Sequence, residues 1–319
     1  MSTSEPAPPR VTVLLATHQG ERFLREQLDS ILGQRGRLRL SVLVSDDGSS
    51  DGTRAIVREY AARDGRVRML PSCERMGAPA PNFYRLLAEA DPDSFDYVGF
   101  ADQDDVWMPD KLARHIALLA EHGADGVSSN VTAFEDVAAP GAETRRVLIR
   151  KDYPQRRADY LFETPGPGSS FLLTARLARM VRSQLERPDS PARQAVAHDW
   201  LIYALARAAG LRWHIDPAST VDYRQHDANA FGANAGWRQA LKRVQLTASR
   251  WHREQVRITV AACVPIASPE QLPRLQWFHE VLGGSGPFDR LRLVRRAGEF
   301  RRRPRDRWIL AGLILLGLW

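Results

Sequence analysis

Cysteine is nearly absent from this chain. The two that occur in 319 residues, Cys73 and Cys263, are far apart and match no zinc or redox spacing. That argues against a disulfide framework and suits a reducing compartment. Long apolar runs are missing as well. The longest, WILAGLILLGLW at 308–319, has 12 residues, whereas a bilayer span needs about 20. There is no internal repeat and no low-complexity tract. The opening MSTSEPAPPR is polar and proline-rich rather than signal-like, so residues 1–10 are expected to be a disordered lead-in.

What is present is an ordinary globular composition, 44% hydrophobic and 26% charged, long enough for one large domain with a substantial core. The net charge of +7 is unevenly placed: residues 238–319 hold 16 Lys and Arg against 6 Asp and Glu, and the remainder is slightly acidic. A basic end on a near-neutral body suggests an anionic partner, either nucleic acid or a membrane surface. No nucleic-acid module is recognisable, so nucleic acid is not expected.

From residue 11 short apolar runs alternate with amphipathic stretches. Strands are expected at 11–17, 40–46, 66–70, 95–101 and 125–134, with helices at 20–32, 52–64, 81–90 and 109–122. Such alternation implies an α/β fold with a mostly parallel sheet and helices on both faces. The pattern lapses over 135–160, which reads as a variable, partly exposed segment. A strand at 169–174, helices at 175–186 and 198–210, and a strand at 219–226 follow, and arginine-rich helices are expected after Gly236.

Two acidic loops fall at expected strand ends: SDDGSSDGT at 45–53 and ADQDD at 101–105. In open parallel sheets ligands bind there. Either loop alone is equally well read as a helix N-cap. Neither is an EF-hand: counted from Asp47, position twelve is Arg58, and counted from Asp102, position six is Trp107 and position twelve Ala113. Together they suit a divalent cation and a polar ligand, because clustered carboxylates repel unless something compensates them.

VTVLLAT, EQLDSIL, SDDGSSDGT and DQDDVWMPDKL, in that order, resemble the family-2 inverting glycosyltransferases of GT-A fold. Within them the chain is most similar to bacterial rhamnosyltransferases of cell-surface polysaccharide assembly. The resemblance covers about residues 11–232. It implies a GT-A domain with a nucleotide-sugar-binding half (11–134) and an acceptor half (135–232), then a basic helical C-terminal region (233–319) with an apolar tail (308–319). The donor would be a nucleotide-diphosphate sugar, favoured as dTDP-L-rhamnose, and the cofactor Mg²⁺ or Mn²⁺.

Carried over by position, the resemblance gives Asp47 to the base, with Ala16, His18, Arg75, Gly77 and Asn82 also facing the nucleotide. His18 stands where the family usually has Tyr; it either stacks on the base or is a plain loop residue. Asp102, Gln103 and Asp104 form the D-x-D segment, Asp104 ligating the metal and Asp102 lying nearer the ribose. Asp199, in HDW, is the implied general base, which inverting transfer requires; alone it could be a helix-dipole partner. Gly168, Ser169, His198 and Trp200 would lie on the acceptor side. In YRQHDANAFG, Arg224 would bind the diphosphate and His226 complete the metal shell or only bond neighbouring backbone.

The basic helices, RRRPRDR and apolar tail suit a cytoplasmic enzyme lying on anionic lipid of the inner membrane, with a saccharide or lipid-linked saccharide as acceptor. Packing of the tail on the domain or in an oligomer is the alternative. The competing functions are a UDP-hexose donor on the same scaffold, or a non-catalytic nucleotide-sugar-binding or assembly protein. The intact D-x-D and base favour an enzyme.

Overall fold

The computed structural model describes residues 6–135, 145–225 and 251–319. Its first hundred residues alternate as β1 (Arg10–Thr17), α1 (Leu24–Leu32), β2 (Arg39–Asp46), α2 (Thr53–Arg63), β3 (Val67–Met69), α3 (Pro79–Glu89) and β4 (Tyr97–Ala101). Every residue of β1 from Val11 to Thr17 is buried. It is covered on both faces, which is why it reads as a continuous apolar run rather than an alternating one. The four strands lie parallel in the order β3-β2-β1-β4. The chain therefore moves outward from β1 to β3 and returns to the other side of β1 with β4, creating a topological switch point.

The rest of the sheet is mixed. It comprises β5 (Val106–Trp107), β6 (Gly126–Glu135), β7 (Arg146–Ile149), β8 (Leu172–Thr174) and β9 (Trp213–Gln225). Strand β8 runs antiparallel between β4 and β6, and β9 lies parallel to β6. Strand β9 begins at Trp213, ahead of the expected start at 219, because Trp213 to Asp216 pair with Gly126 to Ser129 before the register shifts at Asn130. Strands β5 and β7 were not expected; β7 emerges from the patternless 135–160 stretch by pairing with β6. Helices α4 (Lys111–His122), α5 (Ala175–Glu186) and α6 (His198–Ala208) cover this half. The Thr174 hydroxyl caps α5 by accepting from the Leu177 amide.

The C-terminal region is helical: α7 (Trp251–Cys263), α8 (Leu272–Gly283), α9 (Pro287–Arg295) and α10 (Pro304–Leu315). It is built into the body of the molecule. Val256, Phe278, Phe300 and Ile314 belong to the same buried cluster as Phe83, Leu173 and Tyr203. The arginine run is not a free lipid-facing stretch either. Arg302 is 2% exposed. Its guanidinium donates to Asp159 Oδ2 (3.0 Å) and the Thr164 carbonyl (2.6 Å), and its main-chain N–H donates to Glu163 Oε1 (2.5 Å). Asp159 is fully buried, and a carboxylate there requires a cation.

The apolar tail divides between two environments. Leu310, Ala311 and Ile314 are buried, whereas Trp308 (80% exposed), Leu316 (70% exposed), Ile309, Leu315 and Leu318 face outward. Among the described residues no helix is long and apolar enough to cross a membrane. Replacing Arg302 by Met should cost about 3–5 kcal/mol in urea unfolding, because Asp159 and Glu163 lose a buried partner. Arg302→Lys should recover part of that loss.

Candidate active site

Register places three loops side by side at the switch point: Thr17 of β1 pairs with Asp46 of β2, and Leu15 of β1 with Ala101 of β4. Hydrogen bonds then tie the loops together. The His18 amide donates to Gln103 Oε1 (2.7 Å), and Gln103 Nε2 donates back to the His18 carbonyl (2.8 Å). The Arg75 guanidinium, a donor only, lies 3.2 Å from His18 Nε2, so Nε2 accepts. Nδ1 therefore carries the proton and donates to the Asp47 carbonyl at 2.8 Å. The Asp47 carboxylate accepts from the Met76 (2.5 Å) and Gly77 (2.8 Å) amides. Gly77 presents its amide with φ of 76°, a conformation that favours glycine.

Two of the predicted nucleotide-facing residues are interior. Ala16 is buried within β1 opposite Ser45. Asn82 spans the ends of β1 and β2, donating to the Ser45 (3.1 Å) and Thr17 (3.4 Å) carbonyls. Its Oδ1 is buried with no hydrogen-bond partner among the described residues.

Asp102 directly follows β4. Burial, then the charges of Asp104 and Asp199, push its pKa up to about 7. Asp105 is fully buried beneath the loop, and burial with the neighbouring Asp104 and Asp102 raises its pKa well above the ordinary carboxylate value. The Ser169 hydroxyl and the Arg224 amide (3.2 Å to Oδ1) act against that rise.

Arg224 is buried between the rings of Phe23 (4.5 Å) and Phe134 (4.6 Å), and its Nε donates to the Asp104 carbonyl at 2.8 Å. A further ion pair joins it to Glu26. Rather than reaching into open space, it braces the backbone of the aspartate loop. His226 lies outside the described residues.

Asp199 enters from the first turn of α6, its Oδ1 accepting from the Trp200 amide (2.7 Å). The Thr164 hydroxyl sits between the Gly166 carbonyl (2.6 Å) and the Asp199 carboxylate. Burial raises the Asp199 pKa, while these bonds and Lys151 oppose the rise. The charge of Asp199 also acts on Asp102.

The residues beside Asp199 turn inward. His198 stacks on Phe83 (3.9 Å between ring centres), and burial lowers its pKa to about 3, so it is neutral. Gly168 lies against it, leaving no room for a Cβ beside His198 Nε2. Trp200 donates its indole N–H to the Tyr160 carbonyl (3.0 Å) and stacks on His252.

Three features went unnoticed at the sequence level. Lys111 is completely buried with its Nζ 3.4 Å from the Trp107 ring centre. Burial lowers its pKa and Asp105 opposes that. Its signal was a lysine on the apolar face of an amphipathic helix. Lys151, near Asp199, comes from the patternless segment and gave none. Nor did Arg302, which holds the Thr164 backbone.

Asp102 and Asp104 are half-buried beside the fully buried Asp105, and like charges so close suit a divalent ion. Among the described residues no three His, Cys, Asp or Glu side chains group closely enough to hold a metal.

A switch point bearing acidic loops is where an open parallel sheet binds its ligand. Residues 12–178 match the model for glycosyl transferase family 2, and the chain belongs to that family. It is a glycosyltransferase. The chain is 34% identical over 243 residues to the dTDP-rhamnosyl transferase RfbG of Shigella flexneri, covering 76% of this chain and 82% of that protein.

Among solved structures it resembles S. aureus TarS in complex with UDP-GlcNAc (TM-score 0.57, 15% identity, 85% of this chain and 70% of that one). It also resembles the mannosyltransferase PcManGT from Pyrobaculum calidifontis, in complex with GDP-Man and Mn²⁺ (TM-score 0.52, 21% identity, 98% and 86%). At those identities the likeness shows fold alone.

The raised Asp102 pKa sets a pH dependence. The folded protein binds a proton between about pH 4 and 7 that the unfolded chain releases. Stability of the metal-free protein should therefore fall by roughly 1–3 kcal/mol as pH rises through that window. Thermal melts at pH 5 and pH 7.5 with and without Mn²⁺ and dTDP test this: the loss should appear without the ligands and shrink with them.

Proposed function

We propose that this enzyme transfers L-rhamnose from dTDP-L-rhamnose, with inversion, to a saccharide acceptor in cell-surface polysaccharide synthesis.

 The acceptor is proposed to be lipid-linked and presented at the cytoplasmic face of the inner membrane. The 34% identity to a dTDP-rhamnosyl transferase supports the donor. The observation that carries the mechanism is Asp199 in the first turn of α6, a carboxylate whose pKa burial raises and whose charge acts on Asp102.

Inversion requires the acceptor hydroxyl to attack the anomeric carbon from the face opposite the diphosphate. Asp199 takes the hydroxyl proton as the new C–O bond forms and the bond to the diphosphate breaks, with no covalent intermediate. Its raised pKa makes it a stronger base than an exposed carboxylate. Asp104 would hold Mg²⁺ or Mn²⁺, whose chemistry when bound is Lewis-acid neutralisation of the leaving diphosphate, with Asp102 nearer the ribose. Asp47 and the ring of His18 face the base, and Gln103 keeps the His18 loop in place. Arg224 supports the aspartate loop from below.

Titration calorimetry with dTDP, UDP and GDP, each with and without Mn²⁺, tests the donor. The tightest metal-dependent binding should be to dTDP and should vanish in Asp104→Ala; preference for UDP would instead assign a UDP-hexose. Asp199→Asn should lower kcat by about 10²–10⁴-fold while nucleotide affinity is retained. Unchanged turnover would remove Asp199 as base, and nucleotide binding without any transfer would favour a non-catalytic protein.

Membrane binding is proposed to use the outward face of α10. Trp308 and Leu316 are exposed there, and Arg303 and Arg305 are exposed beside them. The double variant Trp308→Ser, Leu316→Ser should reduce sedimentation with phosphatidylglycerol vesicles several-fold without lowering the melting temperature, since neither side chain is in the core. Unchanged sedimentation would leave that face to an oligomer contact.

A further inference from the structure

Gly20 is a glycine because of its surroundings rather than its conformation. It lacks the positive φ that several other glycines of the chain adopt, so its backbone would accept another residue. Space is what bars one. A Cβ on Gly20 would clash with Gln103 Oε1 and lie 2.6 Å from Gln103 Cδ. The backbone is also held in that position. The Gly20 amide donates to the buried Thr53 hydroxyl (2.8 Å), and the Gly20 carbonyl accepts from the Phe23 (3.1 Å) and Leu24 (3.0 Å) amides.

The side chain that fills this space is the one that clasps His18. Both polar atoms of the Gln103 amide are engaged there, Oε1 with the His18 amide (2.7 Å) and Nε2 with the His18 carbonyl (2.8 Å). Gln103 is the middle residue of the D-x-D segment. One side chain therefore leaves the aspartate loop and grips the loop after β1.

Beyond the pairing of β1 with β4, each loop is fixed on its own side. The loop after β1 is laced to the loop after β2. The Gln19 and Glu21 amides donate to Ser49 Oγ (2.9 Å) and Asp51 Oδ2 (3.1 Å), and in return the Ser50 and Gly52 amides donate to Gln19 Oε1 (2.8 Å) and Glu21 Oε2 (2.8 Å). The aspartate loop is braced instead by Arg224, through the Asp104 carbonyl and Asp105 Oδ1. His18 and Asp47 thus belong to one braced group and Asp104 to another, and Gln103 reaches across.

A nucleotide diphosphate would span both groups. Its base would meet His18 and Asp47 and its diphosphate would lie by Asp104, as in the donor reading above, on which this inference rests. A ligand with two ends gains from its second contact only when the two subsites stand at the separation its own length requires. We propose that the fit of Gln103 into the space at Gly20 sets that separation, which makes Gly20 a positioning residue for donor binding.

Gly20→Ala tests this on the full chain, because the added methyl displaces only the flexible end of Gln103 and should leave the melting temperature nearly unchanged. Calorimetry with Mn²⁺ should show dTDP affinity reduced by about tenfold, as expected for the loss of two hydrogen bonds. Thymidine, which reaches the base subsite alone, should lose less than about twofold in an NMR titration. Gln103→Ala should give the same split between the two ligands. Adding Gly20→Ala to Gln103→Ala should cost nothing more, since the atoms that the methyl strikes are gone. Equal losses from Gly20→Ala in both backgrounds would overturn the proposal, and so would unchanged dTDP affinity in either single variant. Thymidine weakened as much as dTDP would overturn it too, by confining the role of Gly20 to the base pocket. Failure of the donor reading would show separately, as dTDP binding to the unaltered chain that is indifferent to Mn²⁺ and survives Asp104→Ala.

Discussion

The crowding of carboxylates in a place sheltered from water is the constraint on which the rest of the structure depends. Asp104 and Asp199 act on Asp102, Asp104 and Asp102 act on Asp105, and burial pushes the pKa of Asp102, Asp105 and Asp199 upward. Acids so placed need compensation. Part of it is internal: Lys111 opposes Asp105 from inside the core, and the Arg224 amide bonds its Oδ1. On the proposed reading a bound divalent cation would supply the remainder, and would link ligand binding to local stability by relieving the repulsion.

Holding those acids in register takes two separate sets of contacts. Across the sheet, the Gln103 amide clasps the His18 backbone, His18 donates to the Asp47 carbonyl, and the Asp47 carboxylate holds the Met76 and Gly77 amides. One line of hydrogen bonds therefore runs over the ends of β4, β1 and β2. From the other side the C-terminal helices support the surroundings of Asp199. Arg302 fixes the Thr164 backbone, the Thr164 hydroxyl meets Asp199, and Trp200 stacks on His252. The basic C-terminal region is consequently part of the framework that positions the proposed base.

Much of this was legible from local pattern. The alternation of strands and helices, the two acidic loops and the helix opening with HDW are all written within windows of a few residues. The resemblance to family-2 glycosyltransferases put them in order, and the family match bears out that assignment. The pattern failed where the deciding partner is remote. Strand β7 has no apolar period of its own, with Arg146, Val147 and Leu148 all exposed, and exists because β6 offers it an edge. The RRR run reads as a contact for anionic lipid because its composition is basic, yet its middle residue, Arg302, is in the core.

By itself the sequence determined the elements, their order and the chemical identity of the loop residues, because hydrophobic period and turn chemistry act between near neighbours along the chain. Only the tertiary structure decided which charges meet. Arg302 reaches Asp159 across 143 positions and Arg224 reaches the Asp104 carbonyl across 120. Electrostatic compensation depends on separation in space and on exclusion of water, and neither is encoded in the spacing of residues along the chain.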